Sequence, residues 1–467
     1  MQEGQGSALD PLGDRRDLPR REPLRPAALR TPNDINHVIA YGQSLASGWE
    51  GWPTLSTKPR NDNLMLGASV RPSSESVPYW SPVGPALFQP LIATAQNVHT
   101  GAILTPAEYQ SLTEPDPTLG ETILEGALNF WRARQLAGGH AQRFAHRLLA
   151  SSCGVGGRTI EQLSRGATPN LFQRLTDCTS IARAVAAGQG LRYGVTALLF
   201  LQGEHNVHAL NGGTADRAEY KRLLLRLHDD FAAEAAPGQP NPPMFLYQTS
   251  SAPYANDSNS IAQAQLEAAL ETPGIIMAAP SYPVTTKGGH LDANGYRWLG
   301  NQFGKILHRT LTLDQPFHPL HPTVLRADGN TRTITFHVPA PPLRWGRPAR
   351  DQTLWDAPDK GFSVTDPTGT IPIVAAEITT PTTVRLTLSR PPAANAILRY
   401  GDRNHGGGGC LHDSDPEIAL DHFQGPHIPE HDGRPYPLMN WCALFALPLP
   451  ASTTPNVLAG FMDLLHR

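Results

Sequence analysis

The sequence predicts an α/β protein, with a parallel β-sheet covered by helices and a β-rich region after it. Short apolar runs alternate with amphipathic helical patterns in the first two thirds of the chain, which is typical of β-α-β units. After about Asp314 the helical patterns end, and short β-rich runs separated by Pro, Gly and Asp turns take over. A chain of 467 residues also exceeds what one hydrophobic core usually supports. We therefore expect an extended or disordered arm at 1–34 and two domains, at 35–313 and 314–467.

Apolar runs that end in Gly or polar residues are predicted as the buried strands of the parallel sheet. These runs are His37–Tyr41, Arg143–Ser151, Val195–Leu201, Met244–Tyr247 and Gly274–Ala279. The helical patterns between or after them are Glu125–Ala137, Ile181–Gln189, Asp216–Ala235, Ile261–Glu271 and Asn294–Thr310. The segment between Glu50 and Glu121 is long, Pro-rich and weakly periodic, so we interpret it as a loop that forms the rim of a site.

Short alternating runs in the last third of the chain predict a β-sandwich-like accessory domain. The predicted strands are Arg332–Val338, Thr353–Trp355, Ile371–Glu377, Thr383–Leu388 and Ala396–Tyr400. This domain is expected to pack on the preceding domain, to bind a ligand of its own, or to contribute loops to a site in the preceding domain. The sequence leaves these alternatives open.

The composition excludes several classes of protein. The formal net charge is −3, which gives no reason to expect a nucleic acid or an anionic membrane as a partner. No apolar run approaches the roughly 20 residues of a membrane span. Met1–Arg30 is polar and lacks the apolar core of a signal peptide. Either the protein is cytoplasmic or its signal peptide has already been removed; we expect the second alternative, a secreted or periplasmic protein.

Four cysteines fall as two in each half of the chain, at Cys153, Cys178, Cys410 and Cys442. An even count in a loop-rich protein favours one disulfide in each half, although four cysteines allow three pairings. The alternative is four buried thiols. No pair has Cys-x-x-Cys spacing, so the sequence gives no indication of a structural zinc site.

The first candidate for chemistry is Ser44, which follows an apolar run in Ile39-Ala40-Tyr41-Gly42-Gln43-Ser44. Parallel sheets bind their ligands at the carboxyl ends of their strands, and Gly42 permits a tight turn that exposes the hydroxyl group. A Ser after a strand is more often only a helix N-cap. Taken alone, Ser44 is therefore weak evidence for a nucleophile.

Two later blocks carry polar groups in similar positions. Gln202 and Glu204 come directly after the apolar run Val195–Leu201, where an amide is able to act as an oxyanion donor and an acid is able to orient a base. His290 precedes the last helix of the α/β domain and has the chemistry of a general base. A polar turn network and a surface histidine are the simpler interpretations of the two blocks.

The order of the three blocks is more specific than any one of them, and it resembles the SGNH-hydrolase superfamily, in particular its sialate and xylan O-acetylesterase-like branch. The resemblance covers roughly residues 36–310. It implies a three-layer, flavodoxin-like α/β fold with Ser44 as nucleophile and His290 as base. It also implies an oxyanion hole formed by the Ser44 N–H, the N–H of Gly156 or Gly157, and the Gln202 side chain. No metal or organic cofactor is implied.

The chain departs from the family pattern at one position. The family usually has an Asp three residues before the catalytic His, and this chain has Lys287 there. Three alternatives remain: a Ser–His dyad held by a backbone carbonyl, help from Asp292, or help from Glu204. We favour the dyad, because nucleophile, base and oxyanion hole supply most of the rate of such an enzyme.

The predicted function is a serine esterase that removes acyl groups, above all acetyl, from a carbohydrate or polysaccharide through an acyl-enzyme on Ser44. Trp49, Trp52 and Trp80 lie in or beside the rim segment and suit sugar rings, although the aromatic core of a loop is an equally good interpretation. Arg158 is a candidate for binding a substrate carboxylate. The alternatives are a broader carboxylesterase for non-carbohydrate or polymer esters, and a degenerate carbohydrate-binding module.

Overall fold

The computed structural model describes residues 33–112, 118–138, 146–207, 211–250, 259–426, 428–449 and 456–457. The arm predicted at 1–34 lies outside these residues, apart from its last two. No helix in the described ranges is long and apolar enough to cross a membrane.

The α/β part contains the first eleven strands and all of the described α-helices. The strands are β1 (Ile35–Gly42), β2 (Leu64–Leu66), β3 (Phe88–Pro90), β4 (Gln96–Asn97), β5 (Thr118–Leu119), β6 (Arg147–Ser152), β7 (Tyr193–Leu201), β8 (Met244–Gln248), β9 (Ile275–Pro280), β10 (Thr286–Lys287) and β11 (His290–Leu291). The helices are α1 (Ser44–Ser47), α2 (Pro106–Gln110), α3 (Ile123–Ala137), α4 (Ile160–Leu163), α5 (Gln173–Gly188), α6 (Glu204–Val207), α7 (Arg217–Glu234), α8 (Ser260–Glu271) and α9 (Ala293–Leu307).

A seven-stranded, mostly parallel sheet forms the centre of this part, in the order β3-β2-β6-β1-β7-β8-β9. The strand β1 pairs in parallel with β6 and β7, and only the edge strand β3 is antiparallel to its neighbour. Every residue of β1 is buried, because both faces of the sheet are covered. Ile39 and Tyr41 contribute to one hydrophobic cluster, while Val38 and Ala40 contribute to the other. The predicted parallel sheet with helices on both faces is therefore confirmed.

The predicted strands and helices of this part correspond to β1, β6, β7, β8 and β9 and to α3, α5, α7, α8 and α9. The helix α5 begins at Gln173, eight residues before the predicted start. The rim segment also holds more regular structure than its composition predicts, because Leu64–Leu66 joins the main sheet beside β6. Three consecutive apolar residues are too short a pattern to identify a strand without its neighbour.

The described residues of the β-rich part contain thirteen further strands. They are β12 (His321–Asp328), β13 (Thr331–His337), β14 (Arg344–Trp345), β15 (Phe362–Asp366), β16 (Gly369–Ile371), β17 (Ile373–Thr380), β18 (Thr383–Leu388), β19 (Ile397–Tyr400), β20 (Leu411–His412), β21 (Ile418–His422), β22 (Pro435–Pro437), β23 (Phe445–Pro448) and β24 (Asn456–Val457). The two larger sheets have the orders β17-β18-β13-β12-β24 and β16-β15-β19-β23, and all of their pairings are antiparallel.

The predicted strand Thr353–Trp355 is wrong, because these residues lie in a 3₁₀ turn at Gln352–Asp356. The Asp351 side chain accepts a hydrogen bond from the Thr353 N–H at 3.0 Å and caps the turn. This local cap outweighs the β propensity of Thr and Trp.

The β-rich part packs closely on the α/β part. One hydrophobic cluster contains Leu198 of the main sheet together with Leu398 and Phe445 of the second part. The Tyr282 hydroxyl donates to the Cys442 carbonyl oxygen at 2.9 Å. The two parts therefore share buried contacts, and the predicted boundary at 313/314 separates two sets of sheets that have a common hydrophobic cluster. That this position is a domain boundary stays a prediction.

The predicted disulfides are absent, and the four cysteines are free, buried thiols. Cys410 and Cys442 therefore do not staple the loop between them. The alternative of four buried thiols describes the structure, and it agrees with the frequent burial of unpaired cysteine as a small apolar side chain.

Gly42 has a conformation and a position that no other residue fits, which leads to a prediction about stability. Its φ is +140°, and a Cβ atom there would lie 2.0 Å from the Leu201 carbonyl oxygen. We expect Gly42→Ala to lower the free energy of unfolding by roughly 2–4 kcal/mol, measured by urea denaturation.

Gly188 provides the matched control for Gly42. It ends α5 with nothing within 4 Å of an added Cβ atom. We expect Gly188→Ala to leave stability unchanged or to raise it by up to about 1 kcal/mol. Equal effects of the two substitutions would contradict the packing described for β1 and β7.

Candidate active site

Ser44 lies where β1 ends at the carboxyl edge of the main sheet. The Gln43 N–H donates to the Leu201 carbonyl oxygen at 2.9 Å, which ties the turn after β1 to the end of β7. Ser44 is the first residue of α1, so its N–H has no acceptor within the helix. Its Oγ lies 2.8 Å from His290 Nε2. The structure therefore brings the predicted nucleophile and the predicted base into hydrogen-bond contact.

His290 is positioned by a two-residue hairpin. The strands β10 and β11 are joined by Gly288 and Gly289, and Lys287 pairs directly with His290. A family-type Asp at position 287 would therefore lie beside the imidazole. The Lys287 ammonium group instead lies 3.2 Å from the centre of the Trp52 ring, in a cation–π contact. The Trp49 ring stacks on the His290 ring at a centroid distance of 5.9 Å.

A carboxylate reaches His290 from a different part of the chain. Glu50 Oε2 lies 3.3 Å from His290 Nδ1, and it accepts a hydrogen bond from the His290 backbone N–H at 3.2 Å. Burial alone would raise the pKa of Glu50, but the nearby His290 ring, the hydrogen bond from the His290 backbone N–H and the charge of Lys287 outweigh burial and lower this pKa. Gly288 makes room for the carboxylate, because an added Cβ atom would lie 2.8 Å from Glu50 Oε2.

The predicted Ser–His dyad stays a prediction, but the structure places a carboxylate that the sequence did not indicate, that of Glu50, beside the imidazole. The two acids considered from the sequence have other partners. Asp292 caps α9: its Oδ1 accepts from the Gly295 N–H at 2.7 Å and from the Thr285 hydroxyl at 2.6 Å. Glu204 lines the same cavity as Ser44 but accepts a hydrogen bond from the Tyr247 hydroxyl, and its burial raises its pKa.

The loop that carries Glu50 is held by a rigid set of hydrogen bonds. The backbone of Gly120 and Glu121 donates to the Gly48 and Gly51 carbonyl oxygens at 2.8 and 2.7 Å. Buried Arg71 donates to the Gly120 carbonyl oxygen at 2.6 Å. Glu50 itself has a φ of 60°, which is uncommon for a residue other than Gly. The surrounding contacts thus fix a conformation that the residue would not favour alone.

Gln202 does not point into the cavity, which corrects its predicted place in the oxyanion hole. The residue is completely buried. Its Nε2 donates to Asn206 Oδ1 at 2.6 Å and to the Arg158 carbonyl oxygen at 3.2 Å. Its Oε1 accepts from the Tyr220 hydroxyl at 2.7 Å. Because both amide hydrogens are directed at protein acceptors, Gln202 braces the loops behind the site.

The two candidate glycines of the oxyanion hole also differ from each other. The Gly156 N–H donates to Glu75 Oε1 at 3.0 Å, and the Trp49 ring N–H donates to the same oxygen at 3.1 Å. This bond occupies the Gly156 donor. Gly157 lines the cavity with a φ of 62°, so the structure leaves Gly157 as the candidate for a backbone donor.

A cavity of about 1010 Å³ surrounds Ser44 and His290. Its wall includes Arg350, Asp351 and Gly406 from the β-rich part. Arg350 Nη1 donates to the Ser250 hydroxyl at 2.7 Å, and its Nη2 donates to the Gly406 carbonyl oxygen at 2.5 Å. The loops of the second part therefore reach the site, which was one of the alternatives that the sequence left open.

The predicted substrate contacts are divided by the structure. Trp49 lines the cavity, whereas Trp52, Trp80 and Arg158 are not among the described residues of its wall. Trp80 is core, and its ring N–H donates to the Ser152 carbonyl oxygen at 3.0 Å. Trp52 is buried against Lys287. Arg158 Nη1 lies 3.4 Å from the Gly157 carbonyl oxygen.

Sequence reasoning missed three residues of the site: Glu50, Gln43 and Arg350. Glu50 had one signal, since it lies only six residues after Ser44 in the loop interpreted as the rim. Gln43 was part of the Gly-Gln-Ser block but received no role. Arg350 had no signal, because only tertiary packing brings the β-rich part to the cavity.

Comparison with known proteins supports the resemblance found in the sequence. Residues 135–309 match the sequence model of a family described as carbohydrate esterases, sialic acid-specific acetylesterases. The matched range contains Gly156, Gln202 and His290. The predicted resemblance is thereby confirmed, and the match supports the predicted carboxylic-ester hydrolase. No curated protein matches this chain.

Solved structures show similarity in the fold. A carbohydrate acetylesterase from Xanthomonas citri is similar over 88% of this chain and 80% of its own, with a TM-score of 0.52 and 14% sequence identity. A protein from Arabidopsis thaliana is similar over 59% of this chain and 98% of its own, with a TM-score of 0.39 and 15% identity. The first similarity shows a shared fold.

The buried acids beside the Glu50 loop predict a pH dependence of stability. Burial and the neighbouring Glu121 raise the pKa of Glu125 to about 8, from an ordinary value of 4.5. Between pH values of about 4.5 and 8, Glu125 holds its proton more tightly in the folded protein than in the unfolded chain. The contribution of this residue to the free energy of unfolding therefore falls as pH rises. We expect Glu125→Gln, which is neutral at every pH, to lose this contribution.

The measurement is urea denaturation of wild type and Glu125→Gln at several pH values between about 5 and 8. The difference in unfolding free energy between the two proteins should shift in favour of the variant as pH rises. Groups that titrate in both proteins cancel in this difference. Parallel stability curves would show that Glu125 is ionised in the folded protein.

Proposed function

We propose that this protein is a serine esterase that removes acetyl groups from a carbohydrate, with Ser44 as nucleophile, His290 as general base and Glu50 as the acid that orients His290. The observation that carries the proposal is the chain of contacts from Ser44 Oγ to His290 Nε2 at 2.8 Å and from His290 Nδ1 to Glu50 Oε2 at 3.3 Å. This is the arrangement of an activated serine. The match to a carbohydrate-esterase family supports the substrate class.

In the first half of the reaction, His290 Nε2 takes the Ser44 proton while Oγ attacks the acetyl carbonyl carbon. The imidazolium that forms is stabilised by the Glu50 carboxylate, whose lowered pKa keeps it ionised. The bond to the sugar oxygen then breaks, and that oxygen takes the proton from His290 and leaves as a hydroxyl group. In the second half, His290 takes a proton from a water molecule that attacks the acetyl-enzyme; the bond to Ser44 Oγ breaks, acetate leaves, and His290 returns the proton to Ser44 Oγ.

The negative charge on the tetrahedral intermediate needs donors near Ser44. The Ser44 N–H at the start of α1 and the Gly157 N–H on the opposite loop are the backbone candidates. Gly157 is suited to this role because its positive φ presents the backbone without a side chain in the way.

The cavity supports a carbohydrate as substrate. Its volume of about 1010 Å³ exceeds what an acetyl group alone requires, so the alcohol part of the ester has room inside the protein. Trp49 supplies an aromatic face, and Arg350, Asp351 and Ser250 supply polar groups that suit sugar hydroxyls. The β-rich part thus contributes to substrate binding.

The proposal also covers the architecture of the two parts. The β-rich part is a sandwich-like accessory domain, and the α/β part has the three-layer, flavodoxin-like arrangement.

The proposal includes secretion or export to the periplasm, the location expected from the sequence. The degenerate binding module loses its main argument, because the missing Asp at position 287 is matched by Glu50 at His290.

The first test of this function is acetate release from a set of acetylated polysaccharides and from short nitrophenyl esters. We expect activity in the wild type and a loss of at least about 1000-fold in Ser44→Ala and in His290→Ala, because each removes a reacting group. Acetate release by Ser44→Ala at the wild-type rate would refute the assignment. Faster cleavage of long acyl esters than of any acetylated glycan would favour the broader carboxylesterase.

The second test concerns Glu50. We expect Glu50→Gln to lower kcat by roughly 100-fold to 10,000-fold with a small effect on KM, because the substrate does not contact this side chain while the imidazolium depends on it. Glu204→Gln is the matched control, since it neutralises a carboxylate of the cavity wall whose hydrogen bond comes from the Tyr247 hydroxyl. Its kcat should stay within about 10-fold of wild type. The reverse order of the two effects would assign the orienting role to Glu204.

A further inference from the structure

We propose that Lys287 is a positioning residue, which holds the Glu50 carboxylate beside His290. In the proposed esterase, on whose function this inference rests, the base and the acid that orients it come from separate segments of the chain. Lys287 occupies the position at which the family pattern has an Asp. A cation therefore lies where an acid would orient the imidazole directly.

The backbone of Lys287 is fixed relative to the base. Lys287 and His290 face each other across the β10–β11 hairpin, whose turn consists of Gly288 and Gly289. The His290 backbone N–H donates to Glu50 Oε2 at 3.2 Å. An added Cβ atom at Gly288 would lie 2.8 Å from the same oxygen, so the turn and the carboxylate are in close contact. A side chain that begins at position 287 is therefore able to reach the loop that carries Glu50.

The Lys287 side chain ends on that loop. Its ammonium nitrogen lies 3.2 Å from the centre of the Trp52 ring and donates to the Trp52 carbonyl oxygen at 3.4 Å. Trp52 is buried and follows Glu50 by only two residues. Cation–π contacts are strongest with Trp and where water is excluded. One side chain therefore links the hairpin of the base to the loop of the acid without using the carboxylate itself.

The Glu50 loop depends on support from its surroundings. Glu50 has a φ of 60°, a conformation that costs free energy in a residue other than Gly. The Gly120 N–H donates to the Gly48 carbonyl oxygen at 2.8 Å and holds the start of the loop. Lys287 holds its continuation at Trp52. We therefore expect the carboxylate to lose its place at the imidazole when the Lys287 contacts are removed.

The charge of Lys287 also acts on Glu50. Burial raises the pKa of this carboxyl group, and the charge of Lys287 is among the interactions that lower it. The same charge disfavours a nearby imidazolium, so its removal would raise kcat if charge repulsion were its main effect. Displacement of Glu50 has the opposite effect, because the imidazolium then lacks its carboxylate. The sign of the change in kcat therefore distinguishes the two roles.

The first test compares Lys287→Met and Lys287→Arg in the full chain, with nitrophenyl acetate as substrate. Lys287→Met keeps an unbranched apolar side chain but loses the charge, the cation–π contact and the hydrogen bond. We expect kcat to fall by roughly 10-fold to 100-fold with KM within about 3-fold, because Lys287 is not among the described residues of the cavity wall. Lys287→Arg retains a cation that stacks on aromatic rings, so its kcat should stay within about 3-fold of wild type. Equal losses in the two variants, or a higher kcat in Lys287→Met, would overturn the proposal.

The second test places Lys287→Met in the Glu50→Gln background. A residue that acts through the Glu50 carboxylate has little left to change once that group is absent. We therefore expect the kcat of the double variant to lie within about 3-fold of that of Glu50→Gln. Loss of folded protein would instead lower kcat by the same factor in both backgrounds. A further loss of about 10-fold or more in the double variant would show a merely structural role and refute the proposal.

Lys58→Met is the matched control. Lys58 is exposed and follows Trp52 by six residues in the rim segment. Its substitution removes the same charge from the same segment at a position where water and salt screen it. We expect kcat within about 2-fold of wild type. A loss as large as that of Lys287→Met would show that the contact with Trp52 is not the cause.

Failure of this proposal is distinguishable from failure of the proposed function. In the first case Ser44→Ala is inactive, while Lys287→Met cleaves nitrophenyl acetate at the wild-type rate or faster. In the second case Ser44→Ala itself still cleaves the ester at the wild-type rate.

Discussion

The contact between Ser44 Oγ and His290 Nε2 joins two residues that are 246 positions apart in the chain. It exists because β1 ends at the centre of the main sheet, between β6 and β7, while the β10–β11 hairpin crosses the same edge after β9. Gly42 allows the chain to turn against the Leu201 carbonyl oxygen at this point. The Glu50 loop, the cavity and its walls are all arranged around this junction.

The charges at the β10–β11 hairpin show how a carboxylate remains beside His290 although position 287 departs from the family pattern. Lys287 pairs with His290 across the hairpin, where an acid would orient the imidazole directly. With a cation there, the carboxylate comes from Glu50 on the loop after the nucleophile. Lys287 then helps to keep Glu50 ionised while its ammonium group packs on Trp52. Geometry around the imidazole, and not position in the sequence, therefore determines which acid can act.

The β-rich part is structurally integrated with the α/β part. It shares a hydrophobic cluster with the main sheet and supplies Arg350 and Gly406 to the cavity wall. Arg350 connects the Ser250 hydroxyl of the α/β part with the Gly406 carbonyl oxygen of the second part. One partly buried guanidinium group thus spans the two parts at the wall of the cavity.

Hydrophobic periodicity is a local property of the chain, and for this reason the mostly parallel sheet and its main helices could be predicted from the sequence. The pairing of Ser44 with His290 was predicted from the resemblance of the motif order to a known family. Only the packing of distant segments shows which acid faces His290. It also shows that Gln202, Trp52 and Trp80 are buried and make their contacts inside the protein. It also decided that the four cysteines stay unpaired. These outcomes depend on distances between remote segments, such as the 3.3 Å from Glu50 Oε2 to His290 Nδ1, and on which hydrogen-bond partners remain after packing. The spacing of residues along the chain contains no information about these distances or about the hydrogen-bond partners.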